Sequence, residues 1–269
     1  MPISHKFLRN VFRIILLSVN MIYIYPKENV TYIILHFLKT YERMVQLTTD
    51  NISINNEATL VGTVEGELSF SHEIYGETFY SFVLKVMRLS DICDYINITV
   101  SERLIQNMNI HSGSTVSVVG QFRSYNNYCE TGNRLILTVF ARDIKEEDPN
   151  ENQNYGQNPN SIYLNGFLCK APVYRTTPFG REITDLLIAV NRAYNKSDYI
   201  PCIAWGRNAR YSSTLNVGDN IKVWGRIQSR EYQKKISEDE CITKTAYEIS
   251  ISKMEVISAS HSGVDADII

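Results

Sequence analysis

From Glu57 onward, apolar and polar side chains alternate with the period of two that marks β-strands. Leu60-Val61-Gly62-Thr63-Val64 opens the series, and Gly76 marks a turn. Phe79 to Val86 is a second run, with Tyr80, Phe82, Leu84 and Val86 alternating. Tyr95 to Val100 is a third, Thr115 to Phe122, after a turn at Gly113, a fourth, and Arg134 to Ala141 a fifth. Residues 102–111 have room for a short helix between strands three and four. Further along, Ile200, Cys202 and Ala204 alternate with Tyr199, Ile203 and Trp205, which predicts a strand with two unlike faces. Gly206 ends it, and Arg207 to Leu215 suits a short helix. Tyr199 and Trp205 share one side of an unbent strand, because their spacing is even.

The pattern is duplicated. Residues 146–160 are acidic, Asn-rich and almost devoid of apolar side chains, the composition of a linker. Beyond them Leu60 and Gly62 recur as Leu164 and Gly166, Gly76 as Gly180, Arg88 as Arg192, and Asp94-Tyr95-Ile96 as Asp198-Tyr199-Ile200, all at an offset of 104. After one inserted residue, Gly113 pairs with Gly218, Val118 with Val223, Gly120 with Gly225 and Ser124 with Ser229. A constant offset through so many landmarks marks an internal repeat. Each copy, residues 57–145 and 161–257, holds five strands with a short helix between the third and fourth. That is the element order of the OB-fold, a small Greek-key barrel. The predicted fold class is therefore all-β: two tandem five-stranded OB-fold barrels joined by the 146–160 linker and followed by a short tail, residues 258–269.

Composition sharpens this picture at three points. With 44% hydrophobic residues in 269, the chain can bury real cores, so disorder throughout is excluded. The net charge of −2 argues against nucleic acid, but the average hides a split. The second copy carries 14 Lys and Arg against 10 Asp and Glu, a net of +4; the first carries 7 against 10, a net of −3. Arg175, Arg181, Arg192, Lys196, Arg207, Arg226, Arg230, Lys234 and Lys235 are the candidate phosphate contacts. Each alone reads as a solvated surface charge; interleaved with aromatics, the set favours a polymer with flat rings and a charged backbone. The five cysteines lie far apart, without zinc-ligand or redox spacing, which fits a reducing, cytoplasmic setting. No Gly-rich phosphate loop, nucleophile elbow or metal-ligand cluster is present, and His5, His36, His72, His111 and His261 are scattered. Neither an enzyme nor a cofactor or metal site is expected, and Asp198 reads as the cap of a turn ahead of its strand.

Residues 1–43 differ in character. Lys6, Arg9 and Arg13 precede an apolar run from Ile14 to Tyr25, interrupted by Ser18 and Asn20. It has the outline of a signal peptide or weak anchor, yet is short for a bilayer and lacks a small-residue cleavage site. A second apolar patch, Tyr32 to Leu38, fits neither reading. The change in character at Met44 favours a start there, with an anchor, a signal or a real extension as the alternatives.

The second copy resembles the bacterial single-stranded DNA-binding protein family. The residues that carry the resemblance are Tyr174-Arg175-Thr176-Thr177-Pro178-Phe179-Gly180, Leu187-Ile188-Ala189-Val190-Asn191-Arg192, Asp198 to Arg207, and Val223-Trp224-Gly225-Arg226-Ile227-Gln228-Ser229-Arg230-Glu231-Tyr232. The four blocks stand in the family's order and spacing; the first copy matches only through its likeness to the second. The resemblance implies aromatic side chains at four positions that stack on successive bases, here Tyr194, Tyr199, Trp205 and Tyr232. Tyr194 and Tyr232 fall in polar stretches read as loops, Arg192 to Ser197 and Glu231 to Lys235, where core packing is not expected. Tyr199 keeps the alternative of covering the core. The first copy retains Tyr95 and Arg88 but has Ser90, Ser101 and Asn127 opposite Tyr194, Trp205 and Tyr232, with Tyr125 and Tyr128 close to the last. Its expected role is scaffold or subunit contact, with weak strand binding or none.

The resemblance further implies sequence-independent binding of single-stranded DNA in replication, recombination or repair, with RNA as a second possible ligand. Relatives of this kind present four barrels per functional unit, so a homodimer of this two-barrel chain is expected. The family's long Gly/Pro/Gln-rich tail and acidic tip ending in Pro-Phe are missing, Asp265 to Ile269 being only a faint echo of the tip, which puts recruitment of replication or repair proteins by that route in doubt. The competing class is an OB-fold protein-interaction or plasmid-replication accessory module that does not depend on strand binding.

Overall fold

The computed structural model describes residues 54–88, 90–129, 132–147, 158–235 and 241–258, with backbone only for 127–129, 132–134, 234, 235 and 242. The expectations for residues 1–43, for most of the linker and for the tail lie outside them.

The alternating runs become strands whose apolar residues point into two barrel cores. The first half comprises β1 (Asn56–Ile74), β2 (Glu77–Met87), β3 (Cys93–Ser101), α1 (Glu102–Ile105), β4 (Thr115–Cys129) and β5 (Gly132–Glu146). The second comprises β6 (Asn160–Leu168), β7 (Val173–Thr176), β8 (Glu182–Arg192), β9 (Lys196–Trp205), α2 (Arg207–Ser212), β10 (Asn220–Lys235) and β11 (Cys241–Ser258). Leu60, Leu84, Ile96, Ile98, Val118 and Phe122 are fully buried in the first core, and Leu164, Ile188, Ile200, Ile221, Ile227 and Ile249 in the second.

Both halves use the same connectivity. In the first, neighbouring strands run β2-β3-β5-β4-β1, with β3 and β5 parallel at Ile98 and Val139, and β1 returns to pair with β2. In the second the order is β6-β10-β11-β9-β8, with β9 and β11 parallel at Cys202 and Ile249, and β6 returns to β8 at Phe167 and Leu168. The return demands a close approach of backbones. A Cβ on Gly62 would overlap the carbonyl oxygen of Lys85 on β2, and one on Gly166 would overlap that of Ala189 on β8. The repeat therefore preserves glycine where each barrel closes.

The two barrels are not beads on a string. β1 pairs antiparallel with β6, Asn56 opposite Leu164 and Leu60 opposite Asn160, so the eleven strands of the described residues form one continuous sheet. Around this seam the contacts occur twice, once in each direction. Asn56 donates from Nδ2 to the Phe122 carbonyl (2.8 Å) and accepts from the Phe122 amide (2.9 Å); Asn160 does the same with Ile227 (2.7 and 2.9 Å). The Ser124 amide donates to Asp198 Oδ1 (2.9 Å), and the Ser229 amide to Asp94 Oδ1 (2.8 Å). The Tyr199 amide donates to Ser124 Oγ (2.7 Å), and the Tyr95 amide to Ser229 Oγ (2.9 Å). Asp198 is thus a buried bracket between barrels rather than the turn cap expected from its position ahead of a strand. Burial pushes its carboxyl pKa up, while the Ser124 amide, Arg192 and Arg123 pull the other way.

Candidate nucleic-acid interface

β9 presents the two faces its sequence predicts. Ile200, Cys202 and Ala204 are buried; on the opposite face Tyr199 is 46% exposed, while Ile203 between it and Trp205 is buried. Trp205, on the same face as Tyr199, is partly buried at the strand end and donates from Nε1 to Ser250 Oγ on β11 (3.1 Å). That bond fixes the indole against the sheet and leaves it at the barrel surface. Tyr199 and Trp205 are separated by about 20 Å along a strand rising about 3.3 Å per residue.

Tyr194 sits in the turn between β8 and β9 with a φ of 62°, followed by Asn195 at 54°. The left-handed region suits Gly or Asn; an aromatic there costs of order 1 kcal/mol or more. The ring is 83% exposed, so packing does not repay that cost. Tyr232 departs from expectation in its element. Its stretch is no loop but a continuation of β10, paired with β11 and opposite Lys244. This hairpin arm has polar residues on both faces, which erases the alternation that reveals a strand. The ring is 39% exposed, and Arg230 lies exposed two residues away on the same strand.

The cations divide by partner. Arg175 holds Asp185 through Nε (2.7 Å) and Nη2 (3.1 Å). Arg192 pairs with the buried Asp198 (3.5 Å), and Arg226 reaches across the seam to Asp94 (3.4 Å), where burial lowers its pKa. These last two are tied to the barrel junction. Among the described residues, Arg181, Lys196, Arg207 and Arg230 are exposed with no ion-pair partner. The side chains of Lys234 and Lys235 lie outside the description. Trp224 is half-buried against Tyr163 (ring centroids 5.2 Å apart), with Lys253 Nζ 4.5 Å above it.

The first barrel offers a different surface. Tyr95 and Tyr125 are exposed, but Arg88 is bound to Asp94 (2.5 Å). Arg123 is largely enclosed, its guanidinium 3.9 Å over the Phe140 ring; burial, with Arg192 nearby, lowers its pKa to about 10, so it stays charged at neutral pH. The side chain of Tyr128 is outside the description. Phe179, between β7 and β8, is 92% exposed and was not among the aromatics singled out in the sequence. An aromatic inside a Pro-Phe-Gly turn, where no core can receive it, is the signal that marks it.

Two cycles of five strands with this Greek-key connectivity define the OB-fold class. Within that class, the model of the single-strand binding protein family matches residues 159–257, almost the whole second barrel. This barrel is thus similar to the proteins of that family. Single-stranded DNA-binding protein 1 of Staphylococcus aureus is 32% identical over 111 residues, which are 39% of this chain and 66% of that protein, so the match spans just under two thirds of that relative. The solved single-stranded DNA binding protein of Thermus aquaticus superposes with a TM-score of 0.58 at 19% identity, covering 77% of this chain and 95% of that one, a likeness of fold that extends beyond the second barrel. The N-terminal domain of PriB from Thermoanaerobacter tencongensis, solved as a dimer, is 52% identical over 35% of this chain and 97% of its own, with a TM-score of 0.32. Among the described residues, no helix is long and apolar enough to cross a membrane.

Proposed function

We propose that the protein binds single-stranded DNA without sequence preference, as a binding protein rather than an enzyme, and that the second barrel does most of the work. The observation that carries this reading is the exposure of Tyr194, Tyr199 and Tyr232, together with the surface indole of Trp205, among unpaired cations in the barrel that matches the family. Tyr194 carries most weight, because its backbone is held where an aromatic is disfavoured and its ring is left largely in water. Stacking serves any base, and the cations Arg181, Lys196, Arg207 and Arg230 supply the phosphate contacts. Protection of single strands in replication, recombination or repair is the cellular role that follows.

Titration with oligo(dT) at several salt concentrations is the test. Four phosphate contacts predict a slope of log K against log salt of about −3 for a single strand. A flat salt response, or no binding, would rule out this reading; a parallel titration with oligo(U) measures how far RNA competes. The pairing of two barrels inside one chain supports a further step, in which two chains assemble as a homodimer presenting four barrels. Light scattering is expected to give the mass of two chains, and the mass of one chain across micromolar concentrations would refute it.

A further inference from the structure

The repeat places an aromatic at the same point of each barrel. At the offset of 104, Tyr75-Gly76-Glu77 corresponds to Phe179-Gly180-Arg181. Each triplet forms the tip of an equivalent hairpin, β1–β2 in the first barrel and β7–β8 in the second. Both glycines adopt the left-handed conformation, Gly76 with a φ of 76° and Gly180 of 73°. Tyr75 is fully exposed and Phe179 is 92% exposed. The Phe179 tip is nevertheless well fixed. The Thr177 amide donates to the Arg181 carbonyl (2.8 Å), the Gly180 amide to the Thr177 carbonyl (2.9 Å) and the Arg181 amide to Thr177 Oγ1 (3.1 Å), while Pro178 restricts the turn.

We infer that Phe179 is a fifth base-stacking position, lengthening the strand path beyond Trp205, and that Tyr75 is its silent counterpart. The inference rests on the strand-binding reading of the second barrel. Arg175 on β7, Ile183 on β8 and Trp205 on β9 lie opposite one another in consecutive pairings. Phe179 is four residues past Arg175 along the same hairpin, a reach of at most about 13 Å, since the chain turns after Thr176. A rigid turn presents the ring with little conformational entropy left to lose on binding. Charge separates the two tips. Two residues after Phe179 comes the exposed Arg181, without an ion-pair partner among the described residues, which is free to meet phosphate; two residues before Tyr75 stands the exposed Glu73, which repels it. Glu77, two residues after Tyr75, is committed to Ser101 (2.5 Å) and Arg103 (3.0 Å).

Because both tips project into water, tryptophan replaces either ring without disturbing a core. In the full chain, Phe179→Trp is expected to add a fluorescence signal quenched by oligo(dT), and Tyr75→Trp a signal that is not. Phe179→Ala is expected to weaken binding of long oligo(dT) by at least about five-fold, with Phe179→Tyr restoring it, while the salt slope stays unchanged because stacking carries no charge. If the indole introduced by Phe179→Trp stayed unquenched while Trp205 was quenched normally, the inference would be overturned and the strand-binding reading left standing. Equal quenching at both tips would overturn the assignment of the role to Phe179. Absence of quenching in every variant, together with no binding by the unaltered chain, would overturn both.

Discussion

Asp94→Ala is expected to be the most destabilising single change at the barrel seam, costing about 3 kcal/mol. Truncating one partner of a buried ion pair costs about 3–5 kcal/mol, because the surviving charge is left uncompensated. Asp94 is fully buried and serves three groups at once: the Arg88 guanidinium (2.7 and 2.5 Å), the Arg226 guanidinium (3.4 Å) and the Ser229 amide (2.8 Å). Alanine would strand two cations and an amide. Both arginines keep partial contact with water, which places the loss at the lower end of the range. For a chain of this size that corresponds to a melting shift of roughly 6–12 °C. Asp94→Asn keeps an acceptor for the amide and is expected to lose less. Urea unfolding of the full chain measures both, and a loss below about 1 kcal/mol for alanine would show that the seam does not depend on this carboxylate.

Trp205→Ala is expected to weaken binding of single-stranded DNA by about 1–3 kcal/mol, the range for losing one stacked base. The indole also anchors to Ser250, so stability has to be followed alongside affinity. Trp205→Phe keeps a stacking face without the hydrogen-bond donor, and its binding is expected to fall between that of alanine and the native residue. With only two tryptophans in the chain, emission reports directly on the site. Strand binding is expected to quench Trp205, while Trp224, held between Tyr163 and Lys253, responds little. Quenching that survives Trp205→Phe and disappears in Trp224→Phe would place the strand on the wrong side of the barrel for this reading.

Much of the architecture was legible in the chain because two periodicities reinforce each other. The two-residue alternation located strands, and the repeat turned one set of uncertain runs into two copies of the same order, including both short helices. The seam was not legible. Asn56 and Asn160 are polar residues at strand starts, and nothing local says that each will meet a backbone 66 or 67 residues further along the chain. Asp198 looked like a cap for the same reason: its partner, the Ser124 amide, is 74 residues away. At the interface, the aromatic positions were read from the family blocks, and the structure adds the exposure of Tyr194, Tyr199 and Tyr232, the partial burial of Trp205 and, for Tyr194, an unfavourable backbone. The cations were harder. A list of Arg and Lys carries no record of which carboxylate each one holds, so Arg192 and Arg226 could not be told from Arg181 or Arg207.

The seam between β1 and β6 has a consequence for direction. Two identical subunits joined about a two-fold axis offer a strand the same surface from either end. Here the mates are encoded separately, so their surfaces differ: Ser90 and Ser101 stand in one where Tyr194 and Trp205 stand in the other. The seam holds the divergent halves together at any dilution, without subunits that dissociate. On the proposed strand-binding reading, a strand reaching across this pair would pass from a basic, aromatic surface toward an acidic one, and its 5′ and 3′ ends would meet different chemistry. The joined barrels thus have a head and a tail.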